Sequence, residues 1–157
     1  EYLRELTSGE LVGRLGEYLK VQRGLDLDKD LLEEIVPLVR ERIKKLAEFE
    51  GLAGFFFKEV AWSRELLIQK GETASSTKDK LEESQKLLVG MKDWEAGKLE
   101  KKVRKMADDE GWRTPTLFMT LRVAITGQKV SPPLFESIAI LGREKTTRRI
   151  KRAISIL

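Results

Sequence analysis

The chain has 157 residues, 41% of them hydrophobic and 36% charged, a formal net charge of +4, and neither cysteine nor histidine. That inventory suits one domain or two small helical units. It excludes disulfides, zinc sites, thiol nucleophiles and imidazole acid/base chemistry, and it permits a nucleic-acid partner without requiring one. No apolar run approaches the ~18 residues of a membrane span, and Glu1-Tyr2-Leu3-Arg4-Glu5 looks like neither a signal nor a transit peptide, so a cytoplasmic protein without membrane contact is expected.

Along the chain, Thr7-Ser8-Gly9-Glu10 has capping-box spacing, and Leu11, Leu15, Tyr18 and Leu19 follow on one helical face. Asp28 or Asp30 can cap a second helix, after which Ile35, Val36, Val39, Ile43, Leu46 and Ala47 read as one stripe with Pro37 as a kink or a fresh start. The aromatic cluster Phe55-Phe56-Phe57, with Val60 and Trp62, reads as core. Lys70 to Thr77 is the most polar and breaker-rich stretch, so the boundary between two units is expected there: residues 1–70, a linker over 71–77, and residues 78–157.

Leu81, Leu87, Leu88 and Met91 continue a helical pattern, and Asp93 is the expected cap of a helix carrying Leu99, Val103 and Met106, which Gly111 ends. Thr114-Pro115 opens a helix that stops at Gly127, and Ser131-Pro132 opens a short one that Gly142 closes. A basic segment, Arg143 to Arg152, begins the last helix, with Ile150, Ala153, Ile154 and Leu157 inward. No segment alternates as a strand. The expected fold is all-α, a compact cage of about eight short helices in two subdomains. Abundant Glu and Lys on helices are ordinary solvated surface, so no catalytic residue and no metal ligand is assigned.

The most informative run is Leu121-Arg122-Val123-Ala124-Ile125-Thr126-Gly127, then Ser131-Pro132-Pro133-Leu134-Phe135-Glu136, then Leu141-Gly142-Arg143-Glu144 before the basic helix. Four motif parts in this order and spacing resemble the end of bacterial-type glutamyl-tRNA synthetases. Weaker similarity through Pro37-Leu38-Val39-Arg40-Glu41-Arg42 and residues 48–57 extends the resemblance over nearly the whole chain. The nucleotide-binding signatures of a class I catalytic domain are absent from the sequence.

The resemblance implies anticodon binding by two helical units, with glutamate tRNA as partner and no cofactor in this part. ATP and magnesium would act in a separate catalytic domain of a glutamate-tRNA ligase. Carried over by position, Arg122 matches an arginine that contacts the first and middle anticodon bases, and Ser131, Pro132 and Leu134 match the segment packing on those bases. Arg42, or Arg40 if the register shifts, matches the reader of the third base, where arginine accompanies strictness for glutamate over glutamine tRNA. Arg143, Arg148, Arg149 and Arg152 are candidates for the tRNA backbone.

Chemistry adds that Pro132 and Pro133, lacking N–H groups, would make the turn a poor phosphate site but a dry surface for a base. Two other readings stay open: a helical scaffold that binds a protein without tRNA specificity, and helix-turn-helix DNA binding. Against the second, residues 132–141 carry Glu136 as their only charge, so no DNA partner is expected. A monomer is expected.

Overall fold

A computed structural model describes residues 2–157, with side chains from Leu3 onward; Glu1 lies outside the described residues. All regular structure among these residues is helical, as the periodicity requires, and none of the helices is long and apolar enough to cross a membrane. By its internal contacts the chain divides into two units, Glu1–Lys58 and Glu59–Leu157.

The first unit contains α1 (Tyr2–Glu5), α2 (Ser8–Arg23), α3 (Lys29–Val39) and α4 (Phe49–Ala53), with single 3-10 turns at Leu46–Glu48 and Gly54–Phe56. The capping box forms as spaced: Glu10 N donates to Thr7 Oγ1 at 3.1 Å, and Thr7 N donates to Glu10 Oε1 at 2.9 Å. Each such cap contributes about 1 kcal/mol by satisfying donors that the first helical turn leaves over. α2 packs on α3, and Leu11, Leu15 and Leu19 of the first and Leu32, Ile35 and Val36 of the second are all buried. Asp28 sits at the N-cap of α3 but makes no side-chain cap bond.

The apolar stripe from Ile35 to Ala47 is not one helix. Pro37 lies inside α3, which ends at Val39, so Ile43 reaches the core from an irregular turn, while Leu46, in a 3-10 turn, is only half-buried and Ala47 is exposed. Proline lacks a donor and crowds the preceding turn, so a helix rarely runs far past it. Arg40 then fastens the turn, donating to Ser8 Oγ at 2.7 Å and to the carbonyl of Leu6. Phe55 and Phe56 are buried as expected, with ring centroids 4.2 Å apart, but Phe57 is only half-buried; Phe49 is also buried, whereas Val60 and Trp62 belong to the other unit. Glu50 accepts from Lys58 at 2.5 Å and from Arg23 at 2.6 Å, joining the end of α2 to α4; the Lys58 hydrogen bond is the main reason its carboxyl is held below the usual carboxylate range.

The second unit holds α5 (Arg64–Leu67), α6 (Ala74–Val89), α7 (Ala96–Glu110), α8 (Thr114–Thr126), α9 (Leu134–Leu141) and α10 (Arg143–Ser155). One core joins them, built on Leu81, Leu99, Leu121, Phe135, Ile138 and Ile150. The division between units therefore falls at Lys58 and Glu59 rather than within 71–77. Two contacts explain this: Trp62 Nε1 donates to the Ala124 carbonyl at 2.6 Å, and Leu67 is buried in the second core. The supposed linker is instead a helix start. Thr73 accepts from Ser76 N at 3.0 Å and caps the 16-residue α6, and Thr77 is buried. Serine and threonine break helix interiors but favour caps, and composition alone does not separate the two.

Two further helix starts differ from expectation. Glu95, not Asp93, holds the N-cap position of α7, and Asp93 accepts instead from Lys98 at 3.2 Å. α9 starts at Leu134, not Pro132. Ser131 and Pro132 each precede a proline, whose ring disfavours helical backbone in the residue before it. The glycine stops hold: Gly111 and Gly127 end their helices at φ 72° and 74°.

Gly127 is constrained twice over. A Cβ there would lie 2.8 Å from Val60 Cγ1 and 3.0 Å from the Ala61 carbonyl, whereas one at Gly111 would meet nothing within 4 Å. Urea denaturation should separate the two: Gly111→Ala is expected to lose about 1–2 kcal/mol from left-handed strain alone, and Gly127→Ala distinctly more. A second expectation concerns acid. Lys80 is buried in α6 and paired with Glu72 at 2.6 Å, and that hydrogen bond, with one from Ser76, holds the Glu72 carboxyl below its usual range. A depressed carboxylate contributes stability above its unfolded pKa and loses it as pH falls through the folded value. Glu72→Gln should therefore cost about 1–3 kcal/mol near neutrality and flatten the fall in stability on acidification, read by thermal melts across the acid range.

Candidate nucleic-acid interface

The residues singled out by the motif converge on the connection between α8 and α9, residues 127–133. Gly127 turns the chain out of α8. Thr126 Oγ1 donates to the Arg122 carbonyl at 2.6 Å and accepts from Gln128 N at 3.1 Å, which sets the first bend. Arg122 Nη1 crosses to the far end of the loop, donating to Ser131 Oγ at 2.6 Å and to the Pro132 carbonyl at 3.1 Å. Ser131 Oγ donates in turn to the Pro132 carbonyl at 2.7 Å. One half-buried guanidinium thus holds the loop closed from beneath.

This placement changes the roles expected of the turn. Ser131 is 3% exposed and Leu134 4% exposed, so both face the core and neither presents its side chain outward. Pro132 is buried as well. The outward side of the loop consists of Gln128, Lys129, Val130 and Pro133, of which Val130 is 73% exposed. Composition did not single out Val130. Its signal was a branched apolar residue inside a loop bounded by glycine and proline, where polar residues are the rule. The prolines also precede α9 rather than entering its first turn, so the N–H groups of Leu134, Phe135 and Glu136 are not removed.

The basic candidates on α10 separate into different roles. Arg149 is 6% exposed, and its Nη1 donates to the Ile125 carbonyl at 2.8 Å, covering an acceptor in the last turn of α8. Burial pushes its pKa down to about 10, with Arg148 and Arg152 adding repulsion and Glu59 opposing it, so it remains charged at neutral pH. It is a structural residue, not a surface contact. Arg143 donates to the Met91 carbonyl and lies over the Trp94 ring, its guanidinium carbon 5.3 Å from the centroid. Arg152 lies over Trp62 at 5.1 Å and pairs with Glu59 at 3.2 Å. Arg148 is exposed, with Glu144 at 3.6 Å.

Positions 145, 148, 149 and 152 share one stripe of α10. Burial, then Arg149 and Arg148, lower the pKa of Lys145, with Glu59 the opposing charge. Crowded like charges of this kind favour an anion. In the first unit, Arg42 lies in the exposed turn after α3, its N–H donating to the Val39 carbonyl at 2.8 Å, while Arg40 is committed to the α1 to α2 connection. Of the two, Arg42 has the side chain on the surface.

The profile of the family described as "Anticodon binding domain" matches residues 10–154. A glutamate-tRNA ligase of Roseiflexus castenholzii is 36% identical over 163 residues, covering 99% of this chain and 32% of its own length. "Glutamate--tRNA ligase 2" of Thermosipho melanesiensis is 30% identical, covering 99% of this chain and 34% of its own. The chain thus spans about a third of the length of the curated relatives it matches. Among solved structures, a glutamate tRNA ligase from Elizabethkingia meningosepticum superposes with a TM-score of 0.82 over 99% of this chain and 30% of that one. The glutamate-tRNA synthetase of Elizabethkingia anophelis superposes with a TM-score of 0.78 over 98% and 30%. At 19% and 18% identity these two speak to the fold. With its profile match running from α2 to α10, this chain belongs to the anticodon-binding domain family.

Proposed function

We propose that the chain recognises the anticodon of glutamate tRNA, as the carboxy-terminal part of a cytoplasmic glutamate-tRNA ligase whose catalytic domain uses ATP and magnesium. The observation that carries this is the Arg122 clamp. The sequence run that resembles the synthetases is also the run that folds into a loop closed by a guanidinium and tipped by an exposed apolar side chain. Sequence-specific RNA recognition targets unpaired bases, which need a dry surface for their faces and directed donors for their edges. Val130 and Pro133 offer the surface. Arg122 supplies the donors, and its planar fork can serve a base edge while keeping the turn in place.

In this reading Ser131, Pro132 and Leu134 support the loop from within, and the bases meet its outer side. Arg42 in the first unit reads the third base. Arg148 and Arg152, with Lys145, meet phosphates, while Arg143 and Arg149 act through the backbone and rings they hold. A helical protein scaffold remains the second reading, favoured only by the number of basic side chains already spent on internal carbonyls.

Titration with glutamate tRNA and with anticodon-substituted transcripts tests the proposal. Weaker binding to each substituted transcript is expected; equal affinity for all of them would overturn it. Arg122→Gln should weaken glutamate tRNA binding about tenfold to a hundredfold, the range for losing a charged hydrogen bond. Val130→Asp should weaken it while leaving stability within about 0.5 kcal/mol, as an exposed position allows. Leu134→Ala, by contrast, should cost about 2–5 kcal/mol of stability, so lost binding there reports folding. Arg42→Gln should narrow the preference between transcripts differing at the third anticodon base, measured as the ratio of their dissociation constants.

A further inference from the structure

A groove of about 770 Å³ lies in the second unit between the end of α6 and one face of α7, and it shares no lining residue with the 127–133 loop. Six lysines line it against one carboxylate: Lys86 from α6, Lys92 from the following turn, Lys98, Lys101, Lys102 and Lys105 from α7, and Asp93. The four on α7 recur at three- and four-residue steps, which places them along a single face of the helix. All six are exposed. The floor is apolar, with Leu87 and Met91.

Some of this charge is balanced locally. Lys86 pairs with Glu83 at 3.0 Å, Lys98 with Glu95 and Asp93 at 3.0 and 3.2 Å, and Lys105 with Asp109 at 2.8 Å. These hydrogen bonds raise the pKa values of the three lysines. Lys92, Lys101 and Lys102 have no ion pair among the described residues. A folded domain has little to gain from gathering uncompensated cations on one face, since surface pairs contribute little and like charges repel.

We propose that this groove holds the phosphodiester backbone of the bound RNA, as a contact independent of base sequence and separate from the Arg122 loop. The proposal rests on RNA being the partner. The spacing suits it: lysines three to four residues apart rise about 5 Å per step along the helix, a distance that mobile side chains can adjust to successive phosphates. The choice of residue suits it too. Lysine is a rotatable point charge that neutralises phosphate without selecting a base edge, whereas the candidate reading loop is held by a single arginine, Arg122.

The test uses the full chain with Lys98, Lys101, Lys102 and Lys105 all changed to Gln. A control carries Lys20, Lys29, Lys70 and Lys78 changed to Gln, which removes the same charge from exposed sites elsewhere. Affinities for glutamate tRNA and anticodon-substituted transcripts are measured over a range of salt. The groove variant should bind every transcript about tenfold more weakly, with its log affinity against log salt shallower by about 2, as expected for roughly three lost phosphate contacts. The ratio between transcripts should stay as in the parent chain, and the control should lose much less. Unchanged affinity and slope in the groove variant, or equal losses in the control, would overturn the groove while leaving anticodon reading intact. Loss in the groove variant without transcript preference in either chain would support the groove and remove anticodon reading. No binding of any transcript by the parent chain would remove both.

Discussion

Gly127 is the point through which the second unit must pass. Its left-handed turn ends α8 against Val60 and the Ala61 carbonyl, so the segment entering the unit is pressed onto the exit of α8. The same meeting allows the Trp62 indole to reach the Ala124 carbonyl. Two arginines then secure what the turn creates. Arg149 covers the Ile125 carbonyl from α10, and Arg122 pulls the loop shut at Ser131 and Pro132. Had α8 run one turn further, Ser131 would lie beyond the reach of Arg122.

The division of labour among cations follows from burial. A guanidinium keeps its charge when buried because its pKa starts so high, and even the depressed value of about 10 at Arg149 leaves it protonated. Arginine can therefore serve as an internal cap for backbone carbonyls, as Arg40 and Arg149 do. Lysine is hydrated more strongly and stays at the surface unless paired, as buried Lys80 is with Glu72. Counting basic residues consequently overstates the surface available to a polyanion on α10, where Arg149 is buried, whereas the lysines of α7 all stay exposed.

Helix existence and helix ends marked by glycine were legible because each depends on local backbone sterics: Gly111 and Gly127 sit in conformations that few other residues adopt. The capping box at Thr7 is equally local. What could not be read depends on partners distant in sequence. Nothing near Arg149 announces that it will meet Ile125, and nothing in Leu134 shows whether it faces a base or the core. The unit boundary was misplaced for a related reason. Thr73 and Ser76 have the composition of a linker and the chemistry of a cap, and packing of Trp62 and Leu67 decides between them. Motif order pointed to the candidate loop, but the exposure of Val130 on it emerged only with the fold.

In the proposed function the outer side of the 127–133 loop reads bases. Backbone amide shifts of the isotopically labelled chain, followed while an anticodon stem-loop of glutamate tRNA is added, test this most directly. Large shifts centred on Gln128, Lys129 and Val130 are predicted, together with their loss when the anticodon bases are replaced within an unchanged stem. Shifts spread over basic helices with the loop unmoved, or identical shifts for both stem-loops, would contradict it.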